Sequence, residues 1–450
     1  MFKANFMDLS FSEYIDNPVI LSEEKYFTYR DLKNEVILRM SDYVTSGIKS
    51  GDRIGIIGDY SLNTVAKLLA LIELNCILIP LCSDAYNKLS LELKNLIGFD
   101  WIDCSTNGLK KSECRSTAVH AYYQKLRNDE VPGLVLLTSG TTGIPKVVVH
   151  DFSKLLKKFE LKRPTMRTLN FLLFDHWGGL NTLLHALSNG AELIFPEGRS
   201  PENICKKIQE NEVELLPSTP SFLSSMLITK MHKKYDLSSL KMISYGAETM
   251  PVSTLDKLEK AFPSVDIRQT YGMIELGVLR SKSKDNGSTW VKIGGAGYDV
   301  RVTDGMLEIK ADSAMLGYLN ASSPYTTDGY FMTGDAVVEH GEWIKILGRV
   351  SDIINVGGNK VYPNEVESEI LRLDFVKDCA VYSEDNRMLG KIVCANVVTD
   401  KSRSAQELTQ NIIKHCSKNL QKFMVPMKVY HHDNIQSQRL KRLRREIKKG

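Results

Sequence analysis

The sequence predicts an α/β fold with a large N-terminal α/β domain, a β-rich subdomain within it, and a small C-terminal α+β domain. Before residue 290, strand-like apolar runs alternate with helix-like segments, which is typical of a sheet whose strands are joined by crossover helices. At Trp290–Ile346 the pattern changes to short strands separated by closely spaced Gly, Asp and Asn turn residues. A length of 450 residues accommodates two to four domains.

The α/β pattern begins within the first 130 residues. Arg53–Ile57 and Cys76–Leu81 are buried-strand runs on either side of a helix-like segment, Ser61–Leu74. Gly133–Leu137 and Val147–Val149 are strand-like on either side of a loop rich in glycine and threonine. The alternation continues in two further helix–strand pairs: Leu180–Leu187 with Ala191–Phe195, and Pro220–Lys230 with Lys241–Ser244.

The chain after Asp352 predicts a separate small unit. It holds two helix-like segments, Glu365–Leu373 and Ala405–Asn419, and two strand-like segments, Cys379–Tyr382 and Ile392–Val398. We therefore expect an N-terminal domain over residues 1–351 and a C-terminal domain over residues 352–450, with a hinge at Asp352. Small domains joined by one short connection move by default, so the C-terminal domain is expected to be mobile.

The positive charge is concentrated at the C-terminal tail. The net charge is +4, from 58 Lys and Arg against 54 Asp and Glu. Gln436–Gly450 contain seven basic residues and one acid, so the remaining chain carries 51 basic and 53 acidic residues, a net of −2. A slightly acidic body disfavours nucleic acid as a partner.

The cysteine pattern and hydropathy predict a cytoplasmic protein without a membrane span. The eight cysteines are scattered and form no Cys-x-x-Cys pair, which disfavours a zinc site or a disulfide framework. The most apolar stretch, Leu68–Leu81, is too short to cross a bilayer and contains Glu73. The first ten residues lack the charged and apolar regions of a signal peptide.

The loop between the strands at 133–137 and 147–149 has the composition of an anion-binding loop. Glycines let backbone N–H groups approach an anion, hydroxyls add donors, and a lysine supplies positive charge. It lacks the Walker A pattern, because Lys146 enters a β-branched run instead of opening a helix. A hydrophilic hairpin turn is the alternative interpretation. The candidate phosphate ligands are Thr138, Ser139, Gly140, Thr141, Thr142, Gly143 and Lys146.

The order of these residues resembles the phosphate-binding loop of the adenylate-forming superfamily, which includes acyl- and aryl-CoA ligases, peptide-synthetase adenylation domains and luciferases. Four further blocks of that superfamily follow in order, so the resemblance covers roughly residues 20 to 445. They are Tyr245–Glu248; Gln269–Glu275; Gly317–Tyr318 with Tyr330–Asp335; and Gly348–Asp352 with Gly357–Gly358 and Pro363–Glu367.

The resemblance implies two half-reactions. A carboxylate attacks the α-phosphate of ATP and releases pyrophosphate; a thiol then attacks the acyl-adenylate and releases AMP. The loop would surround the β- and γ-phosphates, Glu275 would hold Mg²⁺, Tyr271 would offer a face to adenine, and Asp335 with Arg349 would bind the ribose. The remaining residues implied for ATP binding are Gly246, Ala247, Glu248, Thr270 and Gly272. Taken alone, Asp335 is typical of a turn residue and Glu275 of a solvated helix residue.

The resemblance also implies a catalytic lysine near the C-terminus. Leu440–Arg444 fits the superfamily pattern, with leucine in place of its usual glycine, and this alignment selects Lys441. A basic surface helix is the alternative interpretation. Three positions depart from the usual pattern, Val147, Ile274 and Asn355. Since the first two remove no charged group, we expect an active enzyme.

The acid substrate is less clear from the sequence. Phe174, Asp175, His176 and Trp177 stand where the superfamily has its substrate-pocket motif. A His-Gly pattern and its spacing favour an acyl- or aryl-CoA ligase, whereas Phe174–Asp175 matches amino-acid adenylation domains. Core packing is the alternative for His176 and Trp177. The acceptor thiol is predicted to belong to CoA, or to the phosphopantetheine of a separate acyl carrier protein, and a nucleotide-binding regulator without turnover is the non-enzyme alternative.

Overall fold

The computed structural model describes residues 11–22, 24–113, 120–138, 144–388, 390–400, 403–433 and 435. The long helices begin and end at capping residues that the sequence supplies. Thr28 accepts a hydrogen bond from the Asp31 backbone N–H at the start of the first helix, and Gly47 ends that helix in the left-handed conformation. The helices are α1 (Tyr29–Ser46), α2 (Leu62–Glu73), α3 (Ser83–Asn87), α4 (Leu91–Ile97), α5 (Ala121–Asn128), α6 (Phe152–Leu156), α7 (Trp177–Ser188), α8 (Pro201–Glu210), α9 (Pro220–Ile228), α10 (Met231–Lys234), α11 (Val252–Ala261), α12 (Pro363–Ile370) and α13 (Ala405–Asn419). Short 3₁₀ segments lie at Lys157–Phe159, Val350–Asp352 and Lys422–Met424.

One seven-stranded sheet carries the loop after residue 138. Its central strands are parallel and buried along their whole length, as expected for a sheet covered on both faces. In spatial order the strands are β20 (Gly317–Tyr318), β8 (Lys146–Asp151), β7 (Gly133–Thr138), β4 (Ile77–Leu81), β3 (Arg53–Ile57), β5 (Trp101–Cys104) and β6 (Gly108–Lys111).

A second seven-stranded sheet is parallel except at its edge strand. The carboxyl ends of neighbouring parallel strands meet at one edge, which is where ligands bind in open α/β sheets. In spatial order the strands are β13 (Asp266–Gln269), β12 (Met242–Tyr245), β11 (Leu215–Ser218), β9 (Thr168–Leu169), β10 (Leu193–Ile194), β1 (Pro18–Ser22) and β2 (Lys25–Thr28).

The β-rich subdomain predicted after residue 290 is a six-stranded antiparallel sheet, and a short hairpin precedes it in the chain. The hairpin consists of β14 (Gly272–Met273) and β15 (Gly277–Val278). In spatial order the sheet consists of β16 (Ser281–Ser283), β17 (Trp290–Ile293), β22 (Trp343–Arg349), β21 (Phe331–His340), β19 (Met306–Ala311) and β18 (Tyr298–Thr303).

The C-terminal part of the chain has its own sheet and core. The sheet begins just after the 3₁₀ segment Val350–Asp352, and the apolar cluster of Ile354, Val366, Val381, Val397 and Ile412 fills the space under α12 and α13. Its strands are β23 (Ile354–Val356), β24 (Asn359–Val361), β25 (Val376–Asn386), β26 (Gly390–Thr399) and β27 (Lys428–His431).

The mixed α/β fold and its small C-terminal unit confirm the fold class expected from the sequence. A single core cluster joins the two seven-stranded sheets and the β-rich sheet, since Leu78 on β4, Leu193 on β10 and Leu307 on β19 all belong to it. The helix predicted at Ala405–Asn419 has those bounds, whereas the strand predicted at Ala191–Phe195 is shorter, Leu193–Ile194. No helix among the described residues is long and apolar enough to cross a membrane.

Candidate active site

The base of the predicted phosphate-binding loop is an antiparallel strand pair. Thr138, at the end of β7, faces Lys146, at the start of β8, so the loop closes a hairpin. Asn320 holds this base from the side: its Oδ1 accepts from the Val147 N–H at 2.9 Å, and its Nδ2 donates to the Pro145 carbonyl at 2.9 Å. Residues 139–143 of the loop lie outside the described residues.

Lys146 and Glu275 come from separate motifs and are joined by one tyrosine. The Lys146 Nζ lies 4.9 Å from the centroid of the Tyr318 ring, a cation–π distance. The Tyr318 hydroxyl donates to Glu275 Oε1 at 2.7 Å. Tyr318 reaches this position because β20 pairs with β8, where Tyr318 lies opposite Val148. A cation and a carboxylate are therefore held close to the mouth of the loop.

The backbone around Glu275 is fixed by three hydrogen bonds. The Met315 N–H donates to the Glu275 carbonyl at 2.8 Å, and the Ser313 hydroxyl donates to the Leu276 carbonyl at 2.8 Å. His150 Nε2 donates to the Ile274 carbonyl at 2.7 Å. His150 has no solvent exposure, and this burial lowers its pKa to about 4, so the ring is neutral at pH 7.

A second group of side chains surrounds Asp335. The Tyr271 hydroxyl donates to Asp335 Oδ2 at 2.6 Å, and Arg349 Nε lies 2.8 Å from Asp335 Oδ1. Arg349 also donates to the Thr333 carbonyl, at 2.7 Å, which fixes its guanidinium. Burial raises the pKa of Asp335 above its usual range, and the Arg349 charge and the Tyr271 hydroxyl partly oppose that rise. Each carboxylate oxygen has more than one acceptor position, so Asp335 can still accept from a ligand.

The segment after β12 approaches the segment after β13. Thr270 donates to the Tyr245 carbonyl from its backbone N–H at 2.7 Å and from its hydroxyl at 3.0 Å. A β-carbon on Gly246 would lie 2.5 Å from the Thr270 hydroxyl, so only glycine fits there. Ala247 follows with a φ of +68°, a conformation that a β-carbon disfavours and that concentrates at functional sites. Glu248 accepts a hydrogen bond from the Ser221 hydroxyl.

The predicted substrate-pocket segment leads into α7. Phe174, Asp175 and Trp177 are 0%, 6% and 2% exposed. His176 caps α7, since its Nδ1 accepts from the Gly178 N–H at 3.3 Å. The Phe174 ring packs edge-on against Tyr60, with centroids 5.3 Å apart. These contacts give the four residues fixed positions, and their role in binding an acid stays a prediction.

Two centres therefore gather five of the predicted residues: Lys146 and Glu275, joined by Tyr318, form one, and Tyr271, Asp335 and Arg349 form the other. Gly272, the first residue of β14, lies in the chain between Tyr271 and Glu275. Lys441 lies outside the described residues. Sequence reasoning missed Asn320, His150 and the Tyr318 hydroxyl as members of the site. Tyr318 and Asn320 reach the site because β20 pairs with β8, and no local sequence pattern predicts this pairing.

The chain matches the AMP-binding enzyme family over residues 94–331 and the AMP-binding enzyme C-terminal domain over residues 365–441. It is 24% identical to a 2-succinylbenzoate–CoA ligase of Enterococcus faecalis over 462 aligned residues, which cover 92% of each chain.

Two solved structures share the fold. The anthranilate CoA ligase AuaEII, in complex with anthranoyl-AMP, matches with a TM-score of 0.83 and 18% identity, covering 98% of this chain and 96% of that one. ATP-bound MatB from Rhodopseudomonas palustris matches with a TM-score of 0.77 and 22% identity, covering 96% and 95%. The chain belongs to the AMP-binding enzyme family and is an ATP-using, adenylate-forming enzyme of the AMP-forming acid–CoA ligase type.

Proposed function

We propose that the enzyme activates a small carboxylic acid as an acyl-adenylate and transfers the acyl group to the thiol of CoA. The observation that supports this most strongly is the pair of centres on one hairpin segment. Tyr271 and Glu275 are four residues apart, and each engages a different set of partners, Asp335 with Arg349 and Tyr318 with Lys146. A nucleotide spanning the two would have its sugar at one centre and its phosphates at the other.

In the first step, a carboxylate oxygen attacks the α-phosphorus, the bond to the bridging oxygen of the β-phosphate breaks, and pyrophosphate leaves. Lys146 with the loop residues Thr138, Ser139, Thr141 and Thr142 would stabilise the charge on the phosphates. Lys441 would bridge the substrate carboxylate and the α-phosphate. Positive charge and donors positioned in this way supply most of the catalysis in such transfers.

Mg²⁺ fits the donor set at Glu275. The described residues contain no group of three or more His, Cys, Asp or Glu side chains able to hold a metal. Mg²⁺ is commonly held by one or two carboxylates together with phosphate oxygens and water. Glu275 would supply the carboxylate, with Tyr318 orienting it through Oε1. The ion would supply charge neutralisation on the phosphates.

In the second step, the thiol sulfur attacks the acyl carbon, the thiol proton leaves, and AMP departs with the oxygen that joined it to the acyl group. The curated relative from Enterococcus faecalis is named as a CoA ligase, which favours CoA over a carrier protein as the acceptor. The basic tail, Gln436–Gly450, suits the phosphates of CoA and also an acidic carrier protein.

The experiment is acid-dependent pyrophosphate release from ATP and Mg²⁺ by the full chain, over a panel of aliphatic, aryl and amino acids. We expect release with at least one acid, and a CoA thioester when CoA is added. Release without a thioester would indicate a carrier protein as the acceptor, and no release with any acid would contradict the proposal.

Lys441→Ala tests the choice of catalytic lysine. This variant should abolish pyrophosphate release while ATP binding, measured by calorimetry, is retained. Lys448→Ala, in the same basic tail, is the matched control and should keep its activity. Unaltered release by Lys441→Ala would contradict the assignment.

We further propose that residues 352–450 rotate about Asp352 between the two steps. Among the described residues, Asn364 Nδ2 donates to the Leu347 carbonyl of the β-rich sheet, and Lys257 Nζ of α11 donates to the Leu371 carbonyl after α12. A rotation would have to break these two hydrogen bonds. Asp352→Pro should slow thioester formation more than adenylation, because only the second step needs the rotation. Equal losses in the two steps would argue against a hinge at this residue.

A further inference from the structure

Lys158 is a lysine that the proposed reaction does not use. It lies in the 3₁₀ segment Lys157–Phe159, and its Nζ donates to Asn181 Oδ1 at 2.6 Å and to the Val278 carbonyl at 2.8 Å. Both acceptors are neutral, and no carboxylate among the described residues forms an ion pair with Lys158. An ammonium away from bulk water is stable only when an opposite charge or several acceptors compensate it.

Besides its two acceptors, Lys158 Nζ lies 5.3 Å from the centroid of the Phe159 ring, but the charged groups that act on it are cations. The charges of Arg163 and Arg280 repel the Lys158 ammonium, and the charges of Lys158 and Arg163 act on His185 of α7. Burial, together with Arg163 and Arg280, lowers the pKa of Lys158 to about 7. Burial and the charges of Lys158 and Arg163 lower the pKa of His185 to about 4, so His185 is neutral. The cluster thus has an excess of cations that a bound anion would offset.

A second observation points to a ligand at the same place. The Trp177 side chain is 2% exposed, yet its Nε1–H has no acceptor among the described residues. A buried donor without a partner costs free energy unless a ligand accepts from it. Trp177 and Asn181 are four residues apart on α7 and therefore share one face of that helix.

That face of α7 lies against the hairpin that follows the nucleotide-binding segment. A β-carbon on Gly277 would lie 3.1 Å from Trp177 Nε1, so the indole approaches the backbone of β15. Lys158 contacts the next residue, Val278, which pairs with Gly272 directly after Tyr271. The cation and the indole N–H thus approach neighbouring residues of β15, Val278 and Gly277, and Trp177 belongs to the segment predicted to line the substrate pocket.

We propose that Lys158 and the Trp177 indole N–H bind a second carboxylate of the substrate, so that the acid activated by this enzyme is a dicarboxylic acid. This inference rests on the proposed function, because it assigns the far end of the same substrate. One carboxylate would be adenylated, and the other would accept hydrogen bonds from Lys158 and Trp177. Arg163, Arg280 and Asn181 would surround this end without contacting the reacting atoms.

The test compares acids of equal chain length. Pyrophosphate release is measured with succinate, glutarate, adipate, suberate and benzene-1,2-dicarboxylate, each beside the monocarboxylate of the same skeleton. We expect kcat/KM for at least one dicarboxylate to exceed kcat/KM for the monocarboxylate of the same skeleton by about tenfold or more. In Lys158→Met, kcat/KM for this dicarboxylate should fall about 10- to 100-fold, as expected for loss of a hydrogen bond to a charged group. The kcat/KM for the matching monocarboxylate should change less than about threefold. Lys158→Arg should keep most of the preference, and Lys157→Met, in the same 3₁₀ segment, should keep all of it.

A pH series adds a readout that a purely structural role would not change. Since Lys158 has a pKa of about 7 in the free protein, kcat/KM for the dicarboxylate should fall as the pH rises above 7, relative to the monocarboxylate. Trp177→Phe should weaken the dicarboxylate preference and leave this pH dependence in place. Identical pH profiles for both acids, or equal losses for both acids in Lys158→Met, would overturn the inference.

Failure of the proposed function is a separate outcome. If no acid supports pyrophosphate release, calorimetric titration of the same dicarboxylates into the full chain still decides the matter. Binding by the unchanged protein and its loss in Lys158→Met would support the second-carboxylate site. Absence of binding, or equal binding by both proteins, would refute it.

Discussion

Tyr271→Phe is the substitution that isolates the chemistry of the Asp335 centre. It keeps the aromatic ring and removes only the hydroxyl that donates to Asp335 Oδ2 at 2.6 Å. Tyr271 and Asp335 are 6% and 7% exposed, so water cannot easily replace the lost donor. The remaining charged partner of the carboxylate is Arg349, at 2.8 Å.

The size of the effect follows from the charge on the acceptor. A hydrogen bond to an ionised group contributes about 1.5–3 kcal/mol, which corresponds to a factor of about 10 to 150. Burial already raises the pKa of Asp335, and loss of the donor raises it further. The ionised form of Asp335 is the one that accepts from the ribose hydroxyls. In Tyr271→Phe, this form is therefore lost at a higher pH as the solution is acidified. Tyr271→Phe should match the unchanged enzyme at pH 8.5 and fall increasingly below it as the pH decreases, with a limit of about 10- to 150-fold once both enzymes are protonated at Asp335.

The assay is kcat/KM for ATP between pH 5.5 and 8.5, measured by pyrophosphate release at saturating acid. Tyr245→Phe is the matched control, since Tyr245 is 1% exposed and its hydroxyl lies 3.5 Å from Gln269 Oε1, a neutral acceptor. Its pH profile should equal that of the unchanged enzyme. Asp335→Asn, which cannot ionise, should lose the acid limb altogether. A Tyr271→Phe profile that coincides with the unchanged one would refute the role given to Asp335.

Three further predictions concern the loop and the interior. Lys146→Met should lower kcat for pyrophosphate release about 10²- to 10³-fold, since it removes a positive charge that would stabilise the phosphates. The control Lys154→Met, on the neighbouring helix α6, should change kcat less than about twofold. Similar losses in the two variants would contradict the role given to Lys146. Asn320→Ala should raise KM for ATP about tenfold, because it removes the hydrogen bonds to the Val147 N–H and the Pro145 carbonyl at the base of the loop. Asn359→Ala, in the C-terminal sheet, is the control. An unchanged KM in Asn320→Ala would show that these two hydrogen bonds are not needed for ATP binding. His150 has a pKa of about 4 in the folded protein and about 6.5 in the unfolded chain, so between pH 7 and pH 5 only the unfolded chain takes up a proton there. The free energy of unfolding should therefore fall by about 2 kcal/mol over this range because of His150. Urea unfolding of His150→Gln should show a smaller acid loss than the unchanged protein, and equal losses would rule out this source.

The sequence predicted the parts of the site that rest on local chemistry. Thr138, Lys146, Gly246 and Glu275 stand in runs whose residue order carries information by itself. The two strands that flank the loop after Thr138 were predicted to within two residues at each end. The helix at Ala405–Asn419 was predicted with its correct bounds, and in the structure the Ser404 side chain caps its first turn.

The missed residues depend on pairing between distant segments. Asn320 holds residues 145 and 147 only because β20 adds to the edge of β8, and that register cannot be derived from either strand alone. His150 follows three valines in β8, and its hydrogen bond to Ile274 joins positions 124 residues apart. Lys158 looks like one member of a basic surface run until α7 and β15 enclose it.

The measurement that tests the central proposal most directly follows oxygen from the acid into the nucleotide. The full chain is incubated with ATP, Mg²⁺, CoA and a substrate acid whose carboxylate is labelled with ¹⁸O. The masses of the nucleotide and phosphate products are then measured by mass spectrometry. Attack on the α-phosphorus predicts pyrophosphate and AMP that carries one ¹⁸O atom from the acid. Unlabelled AMP, or ADP with labelled phosphate, would contradict an acyl-adenylate as the intermediate.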